Sequence, residues 1–460
     1  MLRALAFIPF LLAAGCAPSA QVASERSPDA SAPGAGVPDV AVERAVEAAP
    51  MLPPPERPRN VILLIADGFG PASATLGRGL KGGPLAFDPY LVGAVETSAT
   101  DNRVTDSAAS ATAYACGLKT YNGAIGVRPD ETPCRTVLEA AEARGLATGL
   151  VATSRITHAT PAAFAAHVPQ RAQEAEIASQ YVTSGVDVLF GGGRPLFVGR
   201  EDGRDLAEAM RAAGYAVALD GAGYRQLDAA PAVALLADSH LAYEVDRDET
   251  DQPSLAEMTE KAIELLAASA DGQANGFFLM VEGSRIDHAA HGNDVVGHGH
   301  DILAFDAAVA AAYAFARRDG TTLVVSTADH ETGGMTLGRD GLYAWDPAPV
   351  VAATMSAERL AERLAEPGTE ATEVLRSAFG DVELAPEEDA RIGQTGDPAA
   401  RVDVFRQLVS ERAGIGWTTS GHSGVDVGLY AFGPGAERFA RTLANDAVGR
   451  ALFASLGLDR

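Results

Sequence analysis

The feature that most constrains this chain is a recurrence of short apolar runs, separated by longer amphipathic or alanine-rich stretches. Runs at 61–66, 148–152, 186–190, 277–281, 322–326 and 427–432 have strand length and no sustained polar face. Strands of that kind are buried on both sides, and helices must do the burying. One such helix is predicted over 301 to about 317, where Ile302, Phe305, Val309 and Ala312 recur at helical spacing. The pattern predicts an α/β fold: a three-layer sandwich with a central, mostly parallel sheet flanked by helices.

Three of the runs lead into acidic residues, namely Asp67, Glu282 and, shortly after Ser326, Asp329. In open α/β sheets ligands bind beyond the carboxyl ends of the strands, so these carboxylates can share one crevice. Capping a helix or making a turn accounts equally well for any one of them alone. Histidines close to the same run ends favour the crevice. The alternation breaks at 338–416, which carries Pro347, Pro349, Pro367, an acidic stretch at 387–389 and one amphipathic helix at about 357–365. This segment is read as an insertion rising from the core.

Residues 1–16 combine Arg3 with an apolar run at 4–14 that is too short to span a bilayer, as in an export signal. Its end, Leu12-Ala13-Ala14-Gly15-Cys16, resembles the lipobox of bacterial lipoproteins, which would give a lipidated Cys16 and membrane attachment. Ala13 stands where that motif usually has leucine, so soluble export is the alternative. Residues 17–57 are rich in Ala, Pro, Ser and Val and read as a tether, leaving 58–460 as the folded domain. The chain is thus expected to be exported, either periplasmic or membrane-anchored. In an oxidising compartment Cys116 and Cys134 can pair; alternatively Cys116 is a small buried apolar residue.

Lys and Arg total 36 against 61 Asp and Glu, a formal net charge of -25. That balance argues against nucleic-acid binding through a basic face. An anionic substrate would need cations held locally, reversing the field where it lands.

The candidate ligands for such cations are concentrated. In Glu282-Gly-Ser-Arg-Ile-Asp287-His288-Ala-Ala-His291, Asp287 and His291 lie four apart and share one helical face. A carboxylate and an imidazole at that spacing are a zinc-type pair, although the same spacing also makes ordinary surface pairs. Asp329-His330 follows a buried strand. His422 lies between Gly421 and Ser423-Gly424, where glycines would let backbone approach a metal closely. The run Thr105-Asp106-Ser107-Ala108-Ala109-Ser110 opens a helix, so Ser107 would sit among free backbone N–H groups that favour an alkoxide and a phosphate. Helix capping by Asp106 or Ser107 is the competing account.

With these blocks the chain resembles the alkaline phosphatase family. The matching motifs are Ile65-Ala66-Asp67-Gly68-Phe69-Gly70, Thr105 through Ala113, His158-Ala159-Thr160-Pro161-Ala162, Glu282 through His288, and Thr327-Ala328-Asp329-His330, in family order from about residue 58 onward. The resemblance implies an alkaline-phosphatase-like fold with a crown-like insertion. It also implies hydrolysis of small phosphomonoesters through a phosphoserine, and a homodimer. By position, Asp287, His291 and His422 would hold one zinc; Asp67, Asp329 and His330 would hold a second, beside the nucleophile Ser107. Asp67, Thr160 and Glu282 would hold a third metal, magnesium. Arg171 would clamp phosphate, oriented by Asp106. Paired zinc ions stabilise the attacking and leaving oxygens of an in-line displacement.

His158 and His288 stand where enterobacterial members usually have Asp and Lys, a pairing more like the animal enzymes. This predicts weak magnesium retention, with zinc able to enter; hydrogen bonding to water or phosphate is the other role open to both rings. His167, His240, His298 and His300 are read as surface or structural histidines. Gly191-Gly-Gly193-Arg194 lacks the Lys-Ser/Thr of a phosphate loop and reads as a turn. Two rival functions remain open: a phosphodiesterase or other two-metal hydrolase on the same core, and a non-catalytic phosphate-binding lipoprotein.

Overall fold

The computed structural model describes residues 57–460; the signal segment, Cys16 and all of the tether before residue 57 lie outside the described residues. The main sheet is built from β1 (Asn60–Ala66), β2 (Leu91–Glu96), β3 (Ala147–Arg155), β4 (Val188–Gly192), β5 (Ala216–Ala218), β6 (Ala232–Leu235), β7 (Phe277–Gly283), β8 (Thr322–Thr327), β9 (Val427–Phe432) and β10 (Arg441–Ala444). Their order is β10-β2-β9-β8-β1-β7-β3-β4-β6-β5. Only β9 runs against its neighbours; every other pairing is parallel.

All seven residues of β1 are buried. It lies between β7 and β8, where an unbroken apolar run is what a strand covered on both faces requires. One helix group includes Val295–Asp319 and Leu255–Ala268, packed on each other and on the central strands. A second includes Ser107–Cys116, packed against Ala159–Ala165 and Asn445–Leu456. The ten residues of Ser107–Cys116 are all buried, because a run of Ala, Ser and Thr lets neighbouring helices approach from every side.

The long helix starts at Val295 rather than near 301, since Asp294 caps it by accepting from the N–H groups of Val296 and Gly297. The strand expected at 186–190 lies at Val188–Gly192. Strands β2, β5, β6 and β10 have no counterpart among the sequence expectations. β2 is mostly half-buried or exposed, β5 and β10 are short and partly exposed, and β6, though apolar and fully buried, is only 4 residues long.

The 338–416 segment holds five helices rather than the one expected: Ala348–Ala352, Ala357–Ala365, Ala371–Ser377, Pro386–Gln394 and Pro398–Ala413. Thr336–Leu337 pairs antiparallel with Ile415–Gly416, so the excursion leaves and rejoins the body at one point. Cys116 and Cys134 form a disulfide.

Candidate metal centre

Four adjacent strands, in the order β8-β1-β7-β3, deliver the candidate ligands at or just beyond their carboxyl ends, except His422, which lies just before β9. Asp67 follows β1 directly and the chain then turns at Gly68, with φ 74°. A Cβ at Gly68 would lie 2.8 Å from the Asp287 Cα, so the turn demands glycine on both conformational and steric grounds. The Gly68 N–H donates to Asp329 Oδ1 at 3.1 Å, tying two ligand loops together. Glu282 lies within β7, and the helix Arg285–His291 starts just beyond, so Asp287 and His291 meet one turn apart.

The site residues named from the sequence come together in three groups. In the first, His291 Nε2 lies 3.3 Å from Asp287 Oδ2, and His422 Nε2 lies 3.7 Å from Asp287 Oδ1 and 3.1 Å from His291 Nε2. His291 Nδ1 donates to the Ser420 carbonyl at 2.6 Å and His422 Nδ1 to the Thr105 carbonyl at 2.9 Å. A carbonyl only accepts, so each neutral ring carries its proton on Nδ1 and turns an Nε2 lone pair toward the other. Facing lone pairs beside a carboxylate are relieved by a cation. In its absence a proton takes that place: the hydrogen bond with Asp287 pushes His291 up to about 9.

In the second group, His330 Nε2 lies 3.5 Å from Asp67 Oδ1 and 3.3 Å from Asp329 Oδ2, all fully buried. The Thr332 hydroxyl donates its one proton to Asp287 Oδ1 at 2.5 Å and therefore accepts from His330 Nδ1 at 3.2 Å. His330 accordingly also presents an Nε2 lone pair, 3.2 Å from Ser107 Oγ. The third group is Asp67, Glu282 and His158, with ligand atoms within 4.8 Å of one another. Both Asp67 oxygens, Glu282 Oε1, Asp329 Oδ2 and Thr160 Oγ1 are buried without a hydrogen bond from any described residue. Anionic oxygens in that condition are costly unless a cation satisfies them, so the donor set fits divalent metal.

The electrostatics agree. Burial, then the charges of Asp329, Asp287 and Glu282, hold the Asp67 carboxyl well above the usual range. Burial pushes Glu282 and Asp329 each up to about 7. Burial works against ionisation of Asp287 too, but the hydrogen bond from His291 and the nearby imidazoles carry it well below the usual range. Burial also keeps His330 neutral, which a metal ligand must be.

Ser107 opens the Ser107–Cys116 helix and is 2% exposed. Asp106 does two jobs at once: its carboxylate caps the helix by accepting from the Ala109 N–H, and it holds Arg171 Nη1 at 3.1 Å. Arg171 Nη2 donates to His158 Nε2 at 3.1 Å. Since arginine cannot accept, His158 carries its proton on Nδ1, which no described residue accepts, and the pairing that occupies Nε2 would have to give way for His158 to join Asp67 and Glu282 on a cation. Toward protein atoms Gly421 and Gly424 are uncrowded: an added Cβ would meet nothing nearer than 3.6 Å and 3.5 Å respectively.

His240 has no sequence signal, yet its ring lies 4.3 Å from that of His288 and 5.7 Å from that of His158. Arg155 donates to His240 Nε2 at 2.7 Å and is itself paired with Glu174. Burial lowers His240 to about 2 and His288 to about 3, and it holds His158 well below the usual range, so the three rings form a neutral wall. His167, bonded to Glu139 and the Gly126 carbonyl, and His298, bonded to Ser73 and the Ile286 carbonyl, are satisfied structural histidines.

A family model described as alkaline phosphatase matches residues 58–458. Alkaline phosphatase 3 of Bacillus subtilis is 41% identical over 419 residues, covering 86% of this chain and 89% of that protein. The crystal structure of a cold-active alkaline phosphatase from the psychrophile Shewanella sp. superposes with a TM-score of 0.79 at 33% identity, covering 86% of this chain and 99% of that one. A variant of the alkaline phosphatase from the Antarctic bacterium TAB5, with magnesium bound in its M3 site, superposes with a TM-score of 0.67 at 30% identity, covering 88% and 99%.

Proposed function

The chain belongs to the alkaline phosphatase family and hydrolyses phosphate monoesters at a metal centre; from that premise we propose which residues carry the reaction and which metals they hold. Ser107 is the nucleophile. Asp287, His291 and His422 hold one zinc, and Asp67, Asp329 and His330 hold the other. The observations that carry this reading are that His330 Nε2 lies between the buried Asp67 and Asp329 carboxylates and 3.2 Å from the Ser107 hydroxyl, and that His291 and His422 turn their Nε2 atoms on the buried Asp287. When bound, the paired cations supply the positive charge that stabilises the attacking and leaving oxygens of the displacement.

The protein's own groups do the rest. Ser107 Oγ attacks phosphorus from a helix N-terminus, the alcohol departs, and water then releases phosphate from the serine. Arg171 presents a guanidinium fork to two non-bridging oxygens, held in place by Asp106. A monoester offers more anionic oxygen to these groups than a diester does. Asp67, Thr160 and Glu282 hold a third cation, magnesium or zinc in its place. The Arg171 to His158 hydrogen bond supports keeping His158 out of that ligand set.

No helix of the described residues is long and apolar enough to cross a membrane. Export, attachment through a lipidated Cys16 and homodimerisation belong to this proposal, carried by the sequence of the first 16 residues and by the family resemblance.

The test is hydrolysis of nitrophenyl phosphate before and after chelation, with zinc add-back and Ser107→Ala alongside, and bis-nitrophenyl phosphate as the diester control. Turnover of the monoester is expected to disappear on chelation, return with zinc and remain absent in Ser107→Ala. Full activity in chelated protein, in Ser107→Ala, or preferentially on the diester would contradict the assignment.

A further inference from the structure

Arg285 is an arginine with 2% exposure, next to the candidate site but outside the set that holds metal or phosphate. Its guanidinium carbon lies 3.7 Å from the centroid of the Tyr243 ring, and Nη2 donates to Glu358 Oε1 at 2.7 Å. Nη1 lies 3.1 Å from His288 Nδ1. A guanidinium only donates and does not lose its proton, so His288 Nδ1 must accept and the ring's single proton must sit on Nε2. The ring is packed from two further directions, by His240 at 4.3 Å and by His158 at 5.3 Å.

Glu358 comes from the excursion, on the helix Ala357–Ala365. Two buried carboxylates of the body fasten the start of that helix: Asp294 accepts from the Ala357 N–H at 2.8 Å, and Asp246 accepts from the Ser356 N–H at 3.0 Å. A rigid path of hydrogen bonds therefore runs from the body, through the excursion, to one histidine of the site.

We infer that Arg285 is a positioning residue, clamped by Glu358 and Tyr243, which locks His288 as an Nε2–H donor to a phosphoryl oxygen. The inference rests on the function proposed above, which puts phosphate at Arg171: the His288 ring packs 5.3 Å from that of His158, whose Nε2 accepts from Arg171. It makes the excursion a working part of the site, since its Glu358 fixes the arginine that fixes the histidine.

The test uses the zinc-replete full enzyme and compares Glu358→Ala, Glu358→Gln, Arg285→Lys and His288→Ala, alone and in pairs with His288→Ala. The readouts are kcat/KM, inhibition by inorganic phosphate, zinc content and thermal melting. Glu358 is half exposed, so its variants keep the fold even where an arginine variant fails to. Glu358→Ala and Arg285→Lys are each expected to lower kcat/KM and weaken phosphate inhibition by on the order of tenfold, the loss of one well-placed hydrogen bond. Glu358→Gln, which still accepts, should recover most of that loss. On the His288→Ala background neither change should have a further effect. Additive losses on that background, or equal damage from Gln and Ala at 358, would overturn the inference alone. An undamaged His288→Ala would likewise overturn the inference, whereas activity that survives in Ser107→Ala or after chelation would overturn the function proposed above.

Discussion

Thr332 shows how much of the site depends on a single hydroxyl: it donates to Asp287 and accepts from His330, so it orients a ligand of each proposed zinc. Such outer partners fix the tautomer and angle of a metal-binding imidazole. The carboxylates have their own consequence. Asp67 is raised well above the usual range, and Glu282 and Asp329 are pushed up to about 7. These groups bind protons in the metal-free fold that an unfolded chain, with carboxyl values near 4, would release. Their contribution to the stability of the metal-free protein is therefore fully present below about pH 4 and lost as pH rises through about 7. Zinc must displace those protons, so its affinity should fall as pH drops below about 7. Calorimetric titration in buffers of different ionisation heat is expected to show proton release on zinc binding at pH 6; zinc uptake without proton release would contradict this. Part of the clustering was legible in the sequence where the residues are contiguous or one helical turn apart, as at Asp329-His330 and Asp287 with His291. Arg285, Glu358 and His240 were not, because their partners arrive from separate elements and no spacing within the chain records that meeting.

The helix Ser107–Cys116 carries the serine at its first residue and Cys116 at its last, where the disulfide to Cys134 restrains it. The two cysteines are 18 residues apart in the sequence, and closing a loop of that size contributes about 3 kcal/mol. The double variant Cys116→Ser/Cys134→Ser is expected to lose stability of that order in urea unfolding while keeping its zinc. An unchanged midpoint would show that the bond does not restrain the unfolded chain. The same helix explains why capping could not be separated from the proposed site in the sequence: Asp106 accepts from the Ala109 N–H and also holds Arg171, the proposed phosphate clamp. The central strands were readable as strands because complete burial leaves them uniformly apolar. The helices of the excursion were mostly unreadable, since Pro-rich joints and half-buried faces dilute their periodicity.

For the molecule as a whole, a net charge of -25 is a poor setting for an anionic substrate. The fold answers by placing all the candidate ligands but His422 at or just beyond the carboxyl ends of four neighbouring strands, where cations can reverse the local field. The α/β layering and the place of the crevice followed from the apolar runs and the acids behind them. The outer strands did not, being short or half exposed. The central claim is a covalent one: phosphate passes through Ser107. Acid quenching of the zinc-replete enzyme during turnover of a phosphomonoester, followed by peptide mass spectrometry, tests it most directly. One phosphate is expected on the peptide carrying Ser107, absent after chelation and absent in Ser107→Ala. Phosphate on a different residue, or steady turnover with no phosphorylated peptide at any quench time or pH, would contradict it.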